Sequence, residues 1–257
     1  MFIDTHSHLD FESFDDDRDA VIQRAIENEI DCIITIGTNL ETSNKSVRIA
    51  ANYAPIYAAV GMHPSDCAAA KTEDYAAIKT LAANEKVVAI GEIGLDYYRM
   101  YSDKPTQIAA FKKQIALARE VKLPIIVHNR EAHNDMLDIL VGEKADEVGG
   151  VMHSFSGTRE YLDNILKSTN FFISFTGGIT FKNSRGAEEL VAATPLERLL
   201  LETDSPFITP VPHRGKRNEP AFVVHTARKI AEIKGITVQE LAEATSENAH
   251  QLFLVNV

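Results

Sequence analysis

The chain has 257 residues, 45% hydrophobic and 25% charged, values that fit a folded chain with a large core and exclude a disordered one. A formal net charge of −11 excludes a broad basic surface for coating nucleic acid, although bound cations can supply a positive field where a phosphate must sit. No segment is apolar for long enough to span a membrane, and no basic stretch with an apolar run and cleavage site opens the chain. A cytoplasmic protein is therefore expected. Cys32 falls in an apolar run as a small core residue, and Cys67 is too distant in sequence for a Cys-x-x-Cys pair.

Phe2 and Ile3 lead into Asp4-Thr5-His6-Ser7-His8, which reads as a buried strand. Alternation puts His6 and His8 on one face and Ser7 on the other. Asp15, Asp16 and Asp17 precede Val21, Ile22, Ala25 and Ile26, the spacing of one helix face with acids at its N-terminus. A strand over 32–36 ends at Gly37, a helix follows over about 40–52, and a third strand over 56–60 runs into Gly61-Met62-His63-Pro64. A helix over 73–84 precedes a fourth strand over 87–90, which continues into Gly91-Glu92-Ile93-Gly94-Leu95-Asp96.

The same alternation fills the second half. Helix 107–120 leads to strand 123–127 ending at His128, and helix 131–141 to strand 149–152 ending at His153. Strand 171–175 stops at Thr176-Gly177-Gly178, and helix 187–193 precedes strand 199–201, which ends at Glu202-Thr203-Asp204. The strands are continuous apolar runs, as expected of parallel strands covered on both faces. Eight such units predict an α/β protein, a single (β/α)8 TIM barrel over 1–257, with a doubly wound open sheet as the alternative because strand order is not legible.

A lone His-x-His is ordinarily a pair of hydrogen-bonded turn residues. Here His6, His8, His63, Glu92, His128, His153 and Asp204 all fall at strand ends, which a barrel gathers at its C-terminal face. The set suggests two divalent ions per chain. His6, His8 and Asp204 would hold one, His128 and His153 the other, and Glu92 would bridge them with one oxygen for each. Nitrogen and carboxylate donors suit zinc or manganese and do not exclude magnesium. Ions roughly 3.5–4 Å apart would clamp a phosphoryl oxygen and activate water. Asp204 would then accept the proton, with no nucleophile elbow or reactive cysteine motif needed.

These residues carry a resemblance to a known family. The runs Asp4-Thr5-His6-Ser7-His8-Leu9, Gly61-Met62-His63-Pro64 and Gly91-Glu92-Ile93-Gly94-Leu95-Asp96-Tyr97-Tyr98 are similar to those of TatD-family metal-dependent deoxyribonucleases, within the metal-dependent hydrolase superfamily. So are His128-Asn129-Arg130, His153-Ser154-Phe155-Ser156-Gly157, Glu202-Thr203-Asp204-Ser205-Pro206 and the segment from Arg214 to Pro220. The resemblance implies a barrel, a divalent metal centre and hydrolysis of DNA phosphodiesters, often from the 3′ end. It also implies His6, His8, Glu92, His128, His153 and Asp204 as ligands.

Around that centre, His63 is expected as a donor that protonates or steadies the leaving oxygen, and Arg130 as a bidentate phosphate contact or a partner of Glu131. Asp96 would orient a ligand histidine or bind a further cation. Arg214, Lys216 and Arg217 with His213 form the one local concentration of positive charge, placed to rim the mouth, and Ser205 and Ser154 are candidate hydrogen-bond donors. Tyr97, Tyr98 and Tyr101 would stack bases or cover the barrel edge, while His133, His225 and His250 read as structural. The expected substrate is DNA, at single-stranded or frayed ends, with no membrane and no obligate protein partner. The alternative is a related metallohydrolase acting on another ester, an amide or an aminoacyl-tRNA bond.

Overall fold

A computed structural model describes residues 1–253, so the last four residues of the expected 1–257 domain lie outside the described residues. Eight parallel strands neighbour one another in sequence order: β1 (Phe2–Ser7), β2 (Ile30–Ile36), β3 (Ile56–Val60), β4 (Val87–Asp96), β5 (Ile125–Arg130), β6 (Gly150–Met152), β7 (Phe172–Phe175) and β8 (Leu199–Leu201). An isolated parallel bridge between Ser7 and Ser205 closes the circle. Asp204 N–H donates to the His6 carbonyl at 2.9 Å and His8 N–H to the Ser205 carbonyl at 2.7 Å across the same seam. Strand order without reversal excludes the doubly wound sheet and makes this a (β/α)8 barrel.

Helices α1 (Arg18–Glu27), α2 (Leu40–Asn52), α3 (Thr72–Leu81), α4 (Lys104–Val121), α5 (His133–Gly142), α6 (Arg159–Ser168) and α7 (Arg185–Ala193) make the crossovers, and α8 (Val223–Lys234) and α9 (Val238–Phe253) follow β8. Several of the expected boundaries shift, two of them for a local reason. The fifth strand starts at Ile125 rather than residue 123, because α4 ends at Lys122 in the left-handed region and Pro124 has no N–H to give a ladder. That strand also runs on through His128 to Arg130. The helix expected from residue 131 begins at His133, since Glu131 has φ +56° and cannot open a right-handed turn.

Alternation along the strands places the candidate ligands. Ile126 shares a face with His128, Val151 with His153, and Leu200 with Glu202. Their apolar members pack with Ile3, Cys32, Ile34 and Ile36, and with Ala249, Leu252 and Phe253 of α9, in one inner cluster. The polar members therefore continue the inner face toward the C-terminal mouth. Strict alternation from Ile3 would turn His6 outward. A register irregularity between Asp4 and Ser7 brings it back, and a second one between Ile90 and Ile93 spans Glu92. Among the described residues no helix is long and apolar enough to cross a membrane.

Candidate metal centre

Glu92 is the hub, and its two oxygens face different partners. Oε2 lies 3.6 Å from His6 Nε2 and 3.8 Å from His8 Nε2. Oε1 lies 2.7 Å from His128 Nδ1 and 3.7 Å from both His63 Nε2 and His153 Nε2. Asp204 adds Oδ1 to the first group, 3.8 Å from His6 Nε2 and 3.5 Å from His8 Nε2. The His6 and His8 Nε2 atoms are 3.3 Å apart, and the His6 and His153 rings stack at 3.6 Å. Residues from six strand ends thus converge, although as many as 198 positions separate His6 from Asp204 in sequence.

The supports behind these side chains decide which nitrogen each imidazole presents. His8 Nδ1 lies 3.1 Å from the Ile36 carbonyl, which can only accept, so Nδ1 carries a hydrogen and Nε2 is the atom turned to Glu92 and Asp204, a donor when the ring is charged and a ligand when it is neutral. His153 Nδ1 sits 3.0 Å from Glu202 Oε1, close but not aligned as a hydrogen bond, while Nε2 faces Glu92. Glu202 is itself fixed, accepting from Ser154 N–H at 2.6 Å and Ser174 Oγ–H at 2.7 Å. Asp96 Oδ2 is 3.3 Å from His128 Nε2, and its Oδ1 accepts the N–H groups of Tyr98 and Arg99. His63 has the opposite tautomer. Its Nδ1 accepts Ser65 N–H at 3.1 Å, so the neutral ring carries its hydrogen on Nε2 and is a donor toward the cluster.

Two backbone features make room for this. Gly94 has φ +141°, and a Cβ there would meet the His128 carbonyl oxygen at 2.0 Å, so β4 and β5 can approach only with glycine at that position. From α4, the buried Gln107 and Gln114 brace strand ends with paired amide bonds. Gln107 bonds both the N–H and carbonyl of Asp96, and Gln114 both those of Met62. Neither glutamine, nor Glu202 as a brace for His153, is singled out by sequence reasoning. The available signal was two amides seven apart on a helix face otherwise lined by Ala110, Phe111 and Ile115.

Burial and crowding set the charges. Burial opposes charge on His8, but the Asp204 hydrogen bond and the fields of Asp204 and Glu92 outweigh it and push the ring up to about 9. His153 goes up to about 10, with Glu202 overcoming burial, and His128 is also raised by Asp96 and Glu92. His6 is lowered by burial and by the neighbouring His153. Glu92 stays well below the usual carboxylate range, since the surrounding imidazoles outweigh its desolvation. His63 is pushed down to about 3, by burial first. Burial thus favours the neutral His63 ring, which donates a hydrogen bond from Nε2 toward the cluster.

The donor set fits divalent cations. His6, His8 and Glu92 form one group of ligand atoms within 4.8 Å of one another, His63, Glu92 and His128 a second, and His6, His153 and Glu202 a third. The 2.7 Å His128–Glu92 contact and those around it gather carboxylate oxygens and imidazole nitrogens at places a divalent cation could share. The tautomer of His63 removes it from the second group and leaves His153, whose Nε2 points at the same Glu92 oxygen.

The rim is more mixed. Ser205 is fully buried and shares a 2.7 Å hydrogen bond with Ser7 Oγ, so it belongs to the β1–β8 seam and not to the mouth. Arg130 does not pair with Glu131; its guanidinium lies 4.0 Å over the Tyr98 ring. Arg214 is exposed and stacks 3.8 Å over Phe181, and Lys216 is exposed nearby in sequence. Arg217 is committed to a bidentate pair with Asp17 at 2.8 and 2.6 Å. Tyr97 is tied to Asp135 at 2.6 Å, whereas Tyr98 and Tyr101 are exposed. His133 bonds Asn129, His225 meets His213, and His250 lies on α9, all apart from the metal-competent groups.

Comparison with known proteins agrees with this geometry. The family model described as TatD related DNase matches residues 3–254. A Bacillus subtilis protein named as the uncharacterized metal-dependent hydrolase YabD is 48% identical over 256 residues, covering 100% of both chains. The protein named 3′-5′ ssDNA/RNA exonuclease TatD from Citrobacter rodentium is 35% identical, covering 96% of this chain and 95% of its own. Among solved structures, YJJV, a TatD homologue from Escherichia coli K12, superposes with a TM-score of 0.92 at 32% identity, covering 99% of this chain and 98% of that one. With the match running from β1 into α9 and through each strand end that carries a metal-competent side chain, the chain belongs to the TatD-related DNase family and is a metal-dependent hydrolase.

Proposed function

We propose that the protein is a nuclease that removes nucleotides from the 3′ ends of DNA, acting on single-stranded or frayed ends. The observation that carries the reading is the divided Glu92 carboxylate, with His6, His8 and Asp204 on one oxygen's side and His128 and His153 on the other's. On this reading these six residues hold two divalent ions. Zinc, manganese or magnesium, when bound there, supplies a clamp on the phosphate and an activated water. Relatives named as 3′-5′ ssDNA/RNA exonucleases, at 35% and 39% identity, support nucleic acid as the substrate class.

The chain's own groups then have distinct tasks. Asp204 remains ionised, because the His8 hydrogen bond and nearby imidazoles outweigh its burial, and it is the carboxylate placed to take the proton from attacking water. His63 donates its Nε2 hydrogen to a phosphate oxygen and steadies the charge that develops there. Arg130, Arg214 and Lys216 contact neighbouring phosphates. A net charge of −11 disfavours a long duplex footprint and suits a short terminal segment. The enzyme acts in the cytoplasm on this reading, where the buried free thiols of Cys32 and Cys67 stay reduced.

The test is digestion of end-labelled single- and double-stranded oligonucleotides, with metal analysis of the same preparation. Stepwise shortening of 5′-labelled single strands is expected, abolished by chelator and by Asp204→Asn. Turnover of a small ester or amide with no cleavage of any oligonucleotide would reject the nuclease in favour of another metallohydrolase.

A further inference from the structure

The geometry points to two base-stacking platforms on opposite sides of the metal centre: Tyr98 with Arg130 on one, Phe207 with Phe11 on the other. Together they would hold the nucleobases flanking the scissile phosphate. This rests on the nuclease reading and adds to it what grips the strand and why that strand must be single.

Tyr98 is 60% exposed and Phe207 48%, a large share for apolar rings that stand beside a buried polar cluster. Each leaves the C-terminal end of a barrel strand, Tyr98 after β4 and Phe207 after β8, and in a ring of eight strands in sequence order these two lie across from one another. Each is also fastened to the cluster. Tyr98 N–H donates to Asp96 Oδ1 at 3.0 Å, and the other oxygen of Asp96 lies 3.3 Å from His128 Nε2. Phe207 stands edge-on 6.2 Å from the His8 ring and 5.5 Å from Phe11, which is itself 5.0 Å from His8.

Covering the barrel edge would explain a buried ring, not these. Tyr97, one residue away, does cover it, with its hydroxyl on Asp135 and Lys104 over its face. Tyr98 instead has the Arg130 guanidinium 4.0 Å over its face, the arrangement that holds a ring in place while its exposed surface stays open to a π partner. The occupant that needs aromatic platforms either side of a phosphate-binding centre is a nucleic-acid strand with its bases splayed apart. A stacked duplex cannot present adjacent bases in opposite directions without melting. Stacking is also indifferent to base identity, and it replaces the electrostatic attraction that an acidic protein lacks.

The test uses the full-length Asp204→Asn protein, which binds without cutting, and a short 5′-fluorescein oligothymidylate in an anisotropy titration. Tyr98→Ala and Phe207→Ala should each weaken binding by about 5- to 100-fold, the range of one lost base stack, and Tyr98→Phe should restore it. Removing the bases at the two terminal positions should weaken the parent by more than either alanine variant does and erase the difference between parent and alanine variants. In the otherwise intact enzyme the alanine variants should raise KM and leave kcat and metal content unchanged. Parent binding that ignores the missing bases, or alanine variants that bind like the parent, would overturn the platforms alone. A parent that binds no oligonucleotide, beside an intact enzyme that cuts none, would overturn the nuclease reading as well.

Discussion

The two sides of the Glu92 carboxylate are built differently. On the β1–β8 side the His6 and His8 side chains are 0% and 5% exposed, and the seam behind them is a buried polar network. There Asp4 accepts Thr203 N–H at 2.8 Å and Thr203 Oγ–H at 2.6 Å, and burial pushes its carboxyl up to about 8 despite those bonds. On the other side His63 and His128 are 14% and 20% exposed and depend on Gly94, Asp96 and the glutamines of α4, while His153, 5% exposed, rests against Glu202. One half is fixed when the barrel closes, since the bonds that place it are the ones joining first strand to last. The other half is the more exposed at His63 and His128, and on the nuclease reading it is where a substrate would arrive. An ion on the closed side should therefore be held tightly, and one on the open side should exchange.

The largest effect should come from removing what the halves share. Glu92→Gln keeps shape but loses the charge that both groups of imidazoles surround, and kcat should fall on the order of 10²- to 10⁴-fold. Metal content should drop on both sides, measured by elemental analysis beside steady-state kinetics. Asp204→Asn should instead deplete only the closed side. Full occupancy of two ions in Glu92→Gln would show that the carboxylate does not divide the centre.

Next come the braces, one on each side of the mouth. Asp96→Asn frees His128 and Glu202→Gln frees His153, and each should cost about 10- to 100-fold in metal affinity or activity. Dye-competition titrations of metal should show the loss in the more weakly held ion, with the tighter ion unchanged. Equal weakening of both ions would mean that the halves are not independent.

The strand-end pattern of seven metal-competent residues was legible because a parallel barrel converts position along a strand into height above the floor. What supports them was not. Glu202 looked like part of the Asp204 motif, but its role arises from Ser154 and Ser174, which are brought beside it only when β6, β7 and β8 are adjacent. Alternation counted from Ile3 would have pointed His6 outward, and only the irregularity in β1 corrects it. The tautomer of His63 depends on the turn that brings Ser65 N–H to its ring. Arg217 looked available for phosphate because Asp17 is 200 positions away in sequence.

A smaller effect concerns pH. In the metal-free protein His8 and His153 titrate at about 9 and about 10, above the ordinary 6.5, so both are protonated at neutral pH. Cations require the neutral rings, so uptake must release protons, and affinity should rise about tenfold per pH unit for each proton displaced, levelling off above pH 9–10. Stability of the metal-free protein has the opposite sign. A raised folded pKa contributes fully below about 6.5 and is lost as pH climbs through 9 and 10, so its melting temperature should fall there while that of the loaded protein holds. Calorimetry in buffers of different ionisation enthalpy counts the released protons. A count of zero near pH 7 would mean that the imidazoles are already neutral.

The smallest effect tests where the closed side ends and the substrate begins. Ser205 follows Asp204 directly, and its place in the sequence suggested a substrate contact. Its hydroxyl is buried against Ser7 across the one bridge that joins β1 to β8. Ser205→Ala should therefore act on the barrel and not on the strand being cut, lowering stability by about 1 kcal/mol through one lost hydrogen bond. KM for oligonucleotide should not change. Denaturant unfolding and steady-state kinetics on one preparation separate the two roles: a shifted midpoint with constant KM places Ser205 in the seam. A raised KM with an unshifted midpoint would mean that the seam opens to substrate, and that the closed half of the centre is less closed than its burial indicates.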